Sequence, residues 1–277
     1  MKDQLVIHIG LRKTGSSALQ ELLAREGVIL RENKISYPAR LTRFPAHQEL
    51  AWSLMRPIPP YFTEKIGQDE VYGHYCKIIE ENIDGGMTTL LSSEDLSLLT
   101  FDFKSLEAIK YYFGKYAPKI VLYARNPISY HVSNYKHALI AGRETRSFSE
   151  YIFNANSVLY SQYSIVANVW RGVFGKEAVK VLPYDKKRFQ EQSIFSCFLG
   201  DVFKVQVKDK FLTHRSNTGI PNGAVGFMLE LNRSDLSDES LKIIKNAIRK
   251  IQLPASDDDF LDQNVSAEEK RIIRMLA

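Results

Sequence analysis

The stretch that most constrains this 277-residue chain is Val6-Ile-His-Ile-Gly-Leu-Arg-Lys-Thr-Gly-Ser-Ser-Ala-Leu-Gln20. An apolar run passes through a short loop of Gly, Lys, Thr and Ser directly into a helical pattern. Leu19, Leu22 and Leu23 line one face of that helix, and Gly27 reads as its C-terminal stop. A strand feeding a helix through so tight a loop points to an α/β sheet. The backbone N–H groups at the helix start, together with one lysine, make a site for an anion.

The rest of the chain repeats the alternation. Strand-like runs fall at 5–9, 88–91, 119–124 and 179–183. Helical patterns fall at 16–26, 47–55, 64–82, 104–116, 127–141 and 159–174. This predicts a central parallel sheet covered by helices on both faces, with ligands beyond the carboxyl ends of the strands. Residues 38–70 carry five prolines, Pro38, Pro45, Pro57, Pro59 and Pro60, and read as an irregular insertion forming a lid or substrate wall. Beyond Pro221 the pattern is helical again, through 223–232 and 238–251, and Ser266-Ala-Glu-Glu269 has the form of a capping box opening a last helix. With no linker or repeat, the expectation is one domain over 1–277, residues 221–277 forming a helical C-terminal part.

Composition narrows the function. At 44% hydrophobic residues the chain is an ordinary globular protein. It has no apolar run long enough for a membrane span. Met1-Lys-Asp-Gln-Leu5 enters a strand at once, leaving no room for a secretory signal, so a cytoplasmic location is expected. Cys76 and Cys197 lie far apart without metal-ligand spacing and read as reduced thiols. The net charge of +5 suits an anionic ligand, but no nucleic-acid-binding motif accompanies it.

The loop departs from the P-loop of nucleotide triphosphatases, G-x-x-x-x-G-K-[ST]. Gly10 and Gly15 keep the spacing, yet Ser16 and Ser17 follow, and Lys13 sits inside the loop. Two further strand ends carry polar groups. In Val121-Leu-Tyr-Ala-Arg-Asn-Pro-Ile-Ser-Tyr-His-Val-Ser-Asn-Tyr135, Arg125 ends a strand, Asn126 is placed to cap a helix, Pro127 suits the first helical position, and Ser133 lies two turns in. An arginine and a helical serine so placed can grip a phosphate; the plainer alternative is an arginine paired with a carboxylate. Ser92-Ser93-Glu94 leaves another strand and reads equally as a catalytic strand end or as an N-cap with its acidic first turn.

The combination of Lys13 and its loop, Arg125 with Ser133, and a Ser-Ser-Glu strand end resembles the sulfotransferases that use 3′-phosphoadenosine 5′-phosphosulfate (PAPS). The likeness spans roughly residues 5–190, and Lys-Thr-Gly-Ser-Ser with Ser-Ser-Glu looks most like a bacterial branch related to carbohydrate sulfotransferases. The resemblance implies a P-loop-like sulfotransferase fold. It also implies that Arg12, Lys13, Thr14, Gly15, Ser16 and Ser17 hold the 5′-phosphosulfate, while Arg125 and Ser133 hold the 3′-phosphate. Glu94 falls where relatives carry the general base, and Lys13 would neutralise the leaving phosphate, so that no metal is required.

Tyr184 resembles a family tyrosine that contacts adenine, though a core tyrosine at a strand end fits its position as well. Arg215 stands near a basic loop that some relatives close over the 3′-phosphate, but the Arg-Lys-Gly form of that loop is missing. Ala18 replaces the tryptophan by which cytosolic aryl sulfotransferases stack adenine. His47 is a second candidate base, and Lys136 and His137 are candidates for the border of an acceptor cleft. Tyr61, Tyr72 and Tyr75 are candidates for stacking on sugar rings. The implied acceptor is a hydroxyl of a glycan or glycoconjugate. A P-loop small-molecule kinase would need a lysine after Gly15 and a magnesium-binding aspartate; a nucleotide-binding module without catalysis would not need both Lys13 and Glu94.

Overall fold

The computed structural model describes residues 4–57, 67–142, 144–153, 161–185, 187–208, 220–249, 260 and 265–276. Their Cα packing forms two compact units, Met1–Ala124 with Tyr163–Ser216, and Arg125–Gln162 with Asn217–Ala277.

The first unit holds a five-stranded parallel sheet. Its strands are β1 (Leu5–His8), β2 (Ile35–Ser36), β3 (Thr88–Ser92), β4 (Lys119–Ala124) and β5 (Val179–Pro183), in the spatial order β2-β3-β1-β4-β5. The chain moves to one side of β1 for β2 and β3 and to the other for β4 and β5. The carboxyl end of β1 is therefore the topological switch point, where open α/β sheets bind ligands. The four predicted strands are present; β2, two residues long, carries too little apolar pattern to be seen in the sequence.

Alternation along the strands sorts the core onto two faces. Leu5, Ile7, Leu91, Ile120 and Leu122 pack in one cluster with Trp52, Tyr72, Tyr75, Leu106 and Trp170. These last come from α3 (Glu49–Trp52), α4 (Gln68–Asp84), α5 (Phe103–Phe113) and α8 (Tyr163–Phe174). Val6, Leu90, Val121, Tyr123 and Leu182 pack on the opposite face. There they meet Leu19, Leu22 and Leu23 of α1 (Ser16–Arg25) and Ile194, Phe195 and Phe198 of α10 (Ile194–Phe198). Gly27 does not stop α1: the helix ends at Arg25, and Gly27 begins a second short helix, α2 (Gly27–Glu32). The predicted helix at 47–55 contracts to α3, and a 3-10 helix, Glu94–Phe101, follows β3. A further short helix, α9, spans Arg188–Glu191.

The second unit opens with α6 (Pro127–Ile140). Asn126 Oδ1 accepts from the Ser129 N–H at 3.1 Å, and Pro127 occupies the first turn, the start expected from the sequence. Here α7 (Phe148–Ile152), α11 (Val225–Arg233) and α12 (Asp238–Arg249) help enclose Val132, Tyr135, Leu139, Met228, Leu231 and Phe260. The last helix, α13 (Ala267–Leu276), begins with the expected capping box. The Ser266 N–H donates to Glu269 Oε2 at 2.8 Å, and the Glu269 N–H donates to Ser266 Oγ at 3.3 Å.

Candidate active site

At the carboxyl end of β1 the chain makes a compact turn. Gly10 (φ 102°), Lys13 (φ 62°) and Gly15 (φ 75°) all lie in the left-handed region. Gly15 occupies the N-cap position of α1; no described side chain caps this end, and its first turn carries no acidic residue. An α-helix start without a capping group leaves backbone N–H donors for an anion, and the helix dipole reinforces them. Lys13 and Ser17 are half-buried, Arg12 is exposed, and Thr14 and Ser16 are buried. The Thr14 hydroxyl donates to the Leu11 carbonyl at 2.5 Å, so it braces the loop from within. The ring of Tyr184 borders Gly15: a Cβ there would stand 3.4 Å from Tyr184 Cε2.

Glu94 is brought to the same end of the sheet. A Cβ on Gly10 would come within 3.0 Å of Glu94 Cβ and 3.1 Å of Glu94 Cα, so the loop passes directly over the backbone after β3. Burial pushes the Glu94 carboxyl above its ordinary pKa, and the neighbouring Asp95 charge adds to this. A hydrogen bond from Gln20 and the charge of Arg12 act in the opposite direction. Gln20, buried on α1, donates through Nε2 to Glu94 Oε2 at 2.7 Å and to Ser92 Oγ at 3.1 Å. Ser92 Oγ also pairs with His8 Nδ1 at 2.8 Å. Nothing in the sequence marks Gln20 as part of a site. In an amphipathic helix a glutamine next to Leu19 looks like the edge of the apolar face.

Asp95, next to the base candidate, accepts from Trp52 Nε1 at 2.8 Å and lies 4.0 Å from Arg12 Nε. Tyr37, just before the insertion, and Arg40 within it lie together. The Arg40 guanidinium stands 5.7 Å over the Tyr37 ring, and the Tyr37 hydroxyl donates to the Pro45 carbonyl at 2.7 Å.

The ring of His47 is taken up by main-chain contacts. It is fully buried; the Ser92 N–H donates to its Nδ1 at 3.1 Å, which puts the ring proton on Nε2, 3.3 Å from the Pro38 carbonyl. Burial, helped by the Arg40 charge, holds its pKa at about 3. With both nitrogens in main-chain hydrogen bonds, His47 ties the insertion to β3. Tyr72 and Tyr75 are likewise core residues, not sugar-stacking platforms. The Tyr72 hydroxyl donates to the Leu50 carbonyl at 2.8 Å, and the Tyr75 hydroxyl to Glu49 Oε1.

In the second unit Arg125 precedes α6 and is half-buried, as is Ser133 within it. Lys136 on the same helix is buried: its ammonium donates to Asn222 Oδ1 and lies 5.4 Å over the Phe260 ring, which places it in the interior of this unit. His137 is exposed. Arg215 and Tyr61 lie outside the described residues.

A parallel sheet with a Lys/Gly/Ser loop at its switch point and a half-buried carboxylate against that loop has the P-loop-like architecture. Residues 2–195 match the sulfotransferase domain family, and the chain belongs to it. This sets the kinase alternative aside. Among solved structures, the chain is similar to a sulfotransferase from Alicyclobacillus acidocaldarius, with 16% identity, a TM-score of 0.45, and coverage of 89% of this chain and 96% of that one. It is also similar to the sulfotransferase domain from the curacin biosynthetic pathway, with 14% identity, a TM-score of 0.41 and coverage of 100% and 98%. The sulfotransferase domain from the Synechococcus PCC 7002 olefin synthase gives 14% identity, a TM-score of 0.37 and coverage of 98% and 93%. No protein of curated function matches the chain significantly. Among the described residues no helix is long and apolar enough to cross a membrane.

Proposed function

We propose that this sulfotransferase moves the sulfuryl group of PAPS to a hydroxyl of a glycan or glycoconjugate, with Glu94 as general base. The observation that carries this reading is the packing of Gly10 on Glu94, which puts an anion-binding loop and a carboxylate of raised pKa at one end of the sheet. The uncapped start of α1 and Lys13 suit the 5′-phosphosulfate, with Arg12, Thr14, Gly15, Ser16 and Ser17 completing that set. Arg125 and Ser133 are proposed for the 3′-phosphate on their motif, and Tyr184, at the edge of the loop, for the nucleoside.

In the reaction the acceptor oxygen attacks sulfur in line and forms a new S–O bond. The bond between sulfur and the bridging oxygen of the 5′-phosphate breaks, and the acceptor proton passes to Glu94. The electron pair of the broken bond stays on the phosphate, where the Lys13 ammonium offsets the charge, and 3′-phosphoadenosine 5′-phosphate (PAP) departs. A carboxyl raised by burial is better matched to a hydroxyl proton than one at its ordinary value. The glycan assignment rests on the likeness of the Lys-Thr-Gly-Ser-Ser and Ser-Ser-Glu segments to the carbohydrate branch, and a cytoplasmic location is proposed with it.

The test is transfer of label from 35S-PAPS to a panel of glycans, phenols and alkyl alcohols. Labelled glycan that depends on the protein is the expected product. Label on the phenols or alkyl alcohols with none on glycans would overturn the acceptor class, and no transfer to any hydroxyl would overturn the reaction.

A further inference from the structure

Gln20 is a costly residue where it stands. It is 2% exposed, on a helix whose neighbouring buried positions are Leu19, Leu22 and Leu23. An amide taken out of water must find partners, and an apolar side chain would fill this position without that demand. The partners are specific. Nε2 lies 2.7 Å from Glu94 Oε2 and 3.1 Å from Ser92 Oγ, so both of its N–H groups have acceptors. An ionised carboxylate only accepts, which fixes the nitrogen end of the amide toward Glu94. Ser92 is in turn held by His8 Nδ1 at 2.8 Å, so the anchor for the amide is itself fixed. Gln20 also lies four residues after Ser16 and three after Ser17, on the face of α1 that they share. One rigid helix thus carries the anion-binding loop at its start and the partner of the carboxylate one turn later.

We propose that Gln20 is a positioning residue for the reaction: its amide holds the Glu94 carboxylate in a single orientation and stabilises its ionised form. Gln20 makes no contact with the reacting atoms. It acts through Glu94, and its catalytic meaning rests on the assignment of Glu94 as base. Hydrogen bonding to the charged form of a carboxylate lowers its pKa, which opposes the upward push of burial. Without the amide, Glu94 would stay protonated over a wider pH range, so that less of it is ionised and available as base at a given pH.

The experiment is a 13C-NMR titration of the full chain labelled at glutamate Cδ, with the Glu94 signal identified by its loss in Glu94→Gln. Gln20→Leu should raise the Glu94 midpoint by about one pH unit, leaving about tenfold less carboxylate at pH values well below the midpoint. PAP affinity, read by calorimetry, should stay within about threefold, because the loop is untouched; a merely structural defect in α1 would weaken it further. Gln20→Met, of similar volume, repeats the test should the leucine variant not fold. A Glu94 midpoint unchanged in the folded variants overturns the proposal. Turnover retained in Glu94→Gln would instead overturn the base assignment, whatever the titration shows, so the two failures are distinct.

Discussion

Gly10 lies against Glu94 so closely that a methyl group on it would meet the glutamate backbone at 3.1 Å. The phosphate-type loop is thereby packed directly on the Cα and Cβ of the candidate base. The positive φ of 102° at Gly10 belongs to the same arrangement, since it sends the chain from β1 across the end of β3.

Gly10→Ala should therefore damage both stability and function. Strain at this φ and the contact with Glu94 together should cost about 1–3 kcal/mol. Thermal unfolding should show a lowered Tm, and turnover should fall by more than the loss of folded protein explains. An alanine variant with wild-type Tm and rate would show that the loop does not need this approach.

Stability should depend on pH through buried histidines. His8, His47 and His131 are held neutral by burial, at about 4, about 3 and about 4, against 6.5 when unfolded. The unfolded chain thus binds more protons than the folded one below about pH 6.5, and stability rises with pH there. It should be fully present above that value and decline as the pH falls toward 4. Glu94, raised by burial, works in the opposite sense, but it is one group against three. Urea midpoints should drop between pH 7.5 and pH 5, and His47→Gln should flatten the slope. A midpoint that rises on acidification would contradict the burial of these rings.

Glu94→Gln should remove turnover while leaving PAP affinity within about threefold of wild type, because the amide keeps the shape and loses only the proton acceptor. In the wild type, the acid limb of the kcat profile should lie above the ordinary carboxylate range, as the direction of its pKa requires. No limb should come from His47, whose pKa of about 3 keeps it neutral throughout. A limb near 6.5 that disappears in His47→Gln would return the base role to histidine.

Much of this was legible in the sequence, for physical reasons that differ by element. The long strands are buried on both faces and so read as apolar runs, and the loop after β1 is marked by glycines that its left-handed turns require. Asn126 with Pro127, and Ser266 with Glu269, declare their helix starts because capping is a local interaction. What escaped depends on distant partners. His47 looks available in sequence, and only the Ser92 N–H and the Pro38 carbonyl show that both its nitrogens are engaged. Tyr72 and Tyr75 carry hydroxyls that suggest a surface, yet each finds an acceptor inside the core. Gln20 gains its meaning from Glu94 and Ser92, more than 70 residues away in the chain.

The central claim is that the loop carrying Lys13 binds the phosphate end of PAPS, and calorimetric titration tests it most directly. Wild-type protein should bind PAP at least about tenfold more tightly than AMP or ATP with magnesium, and Lys13→Ala should weaken PAP by about tenfold or more, as expected for loss of a charge-assisted contact. Tighter binding of ATP with magnesium than of PAP, or PAP affinity unchanged in Lys13→Ala, would contradict the account.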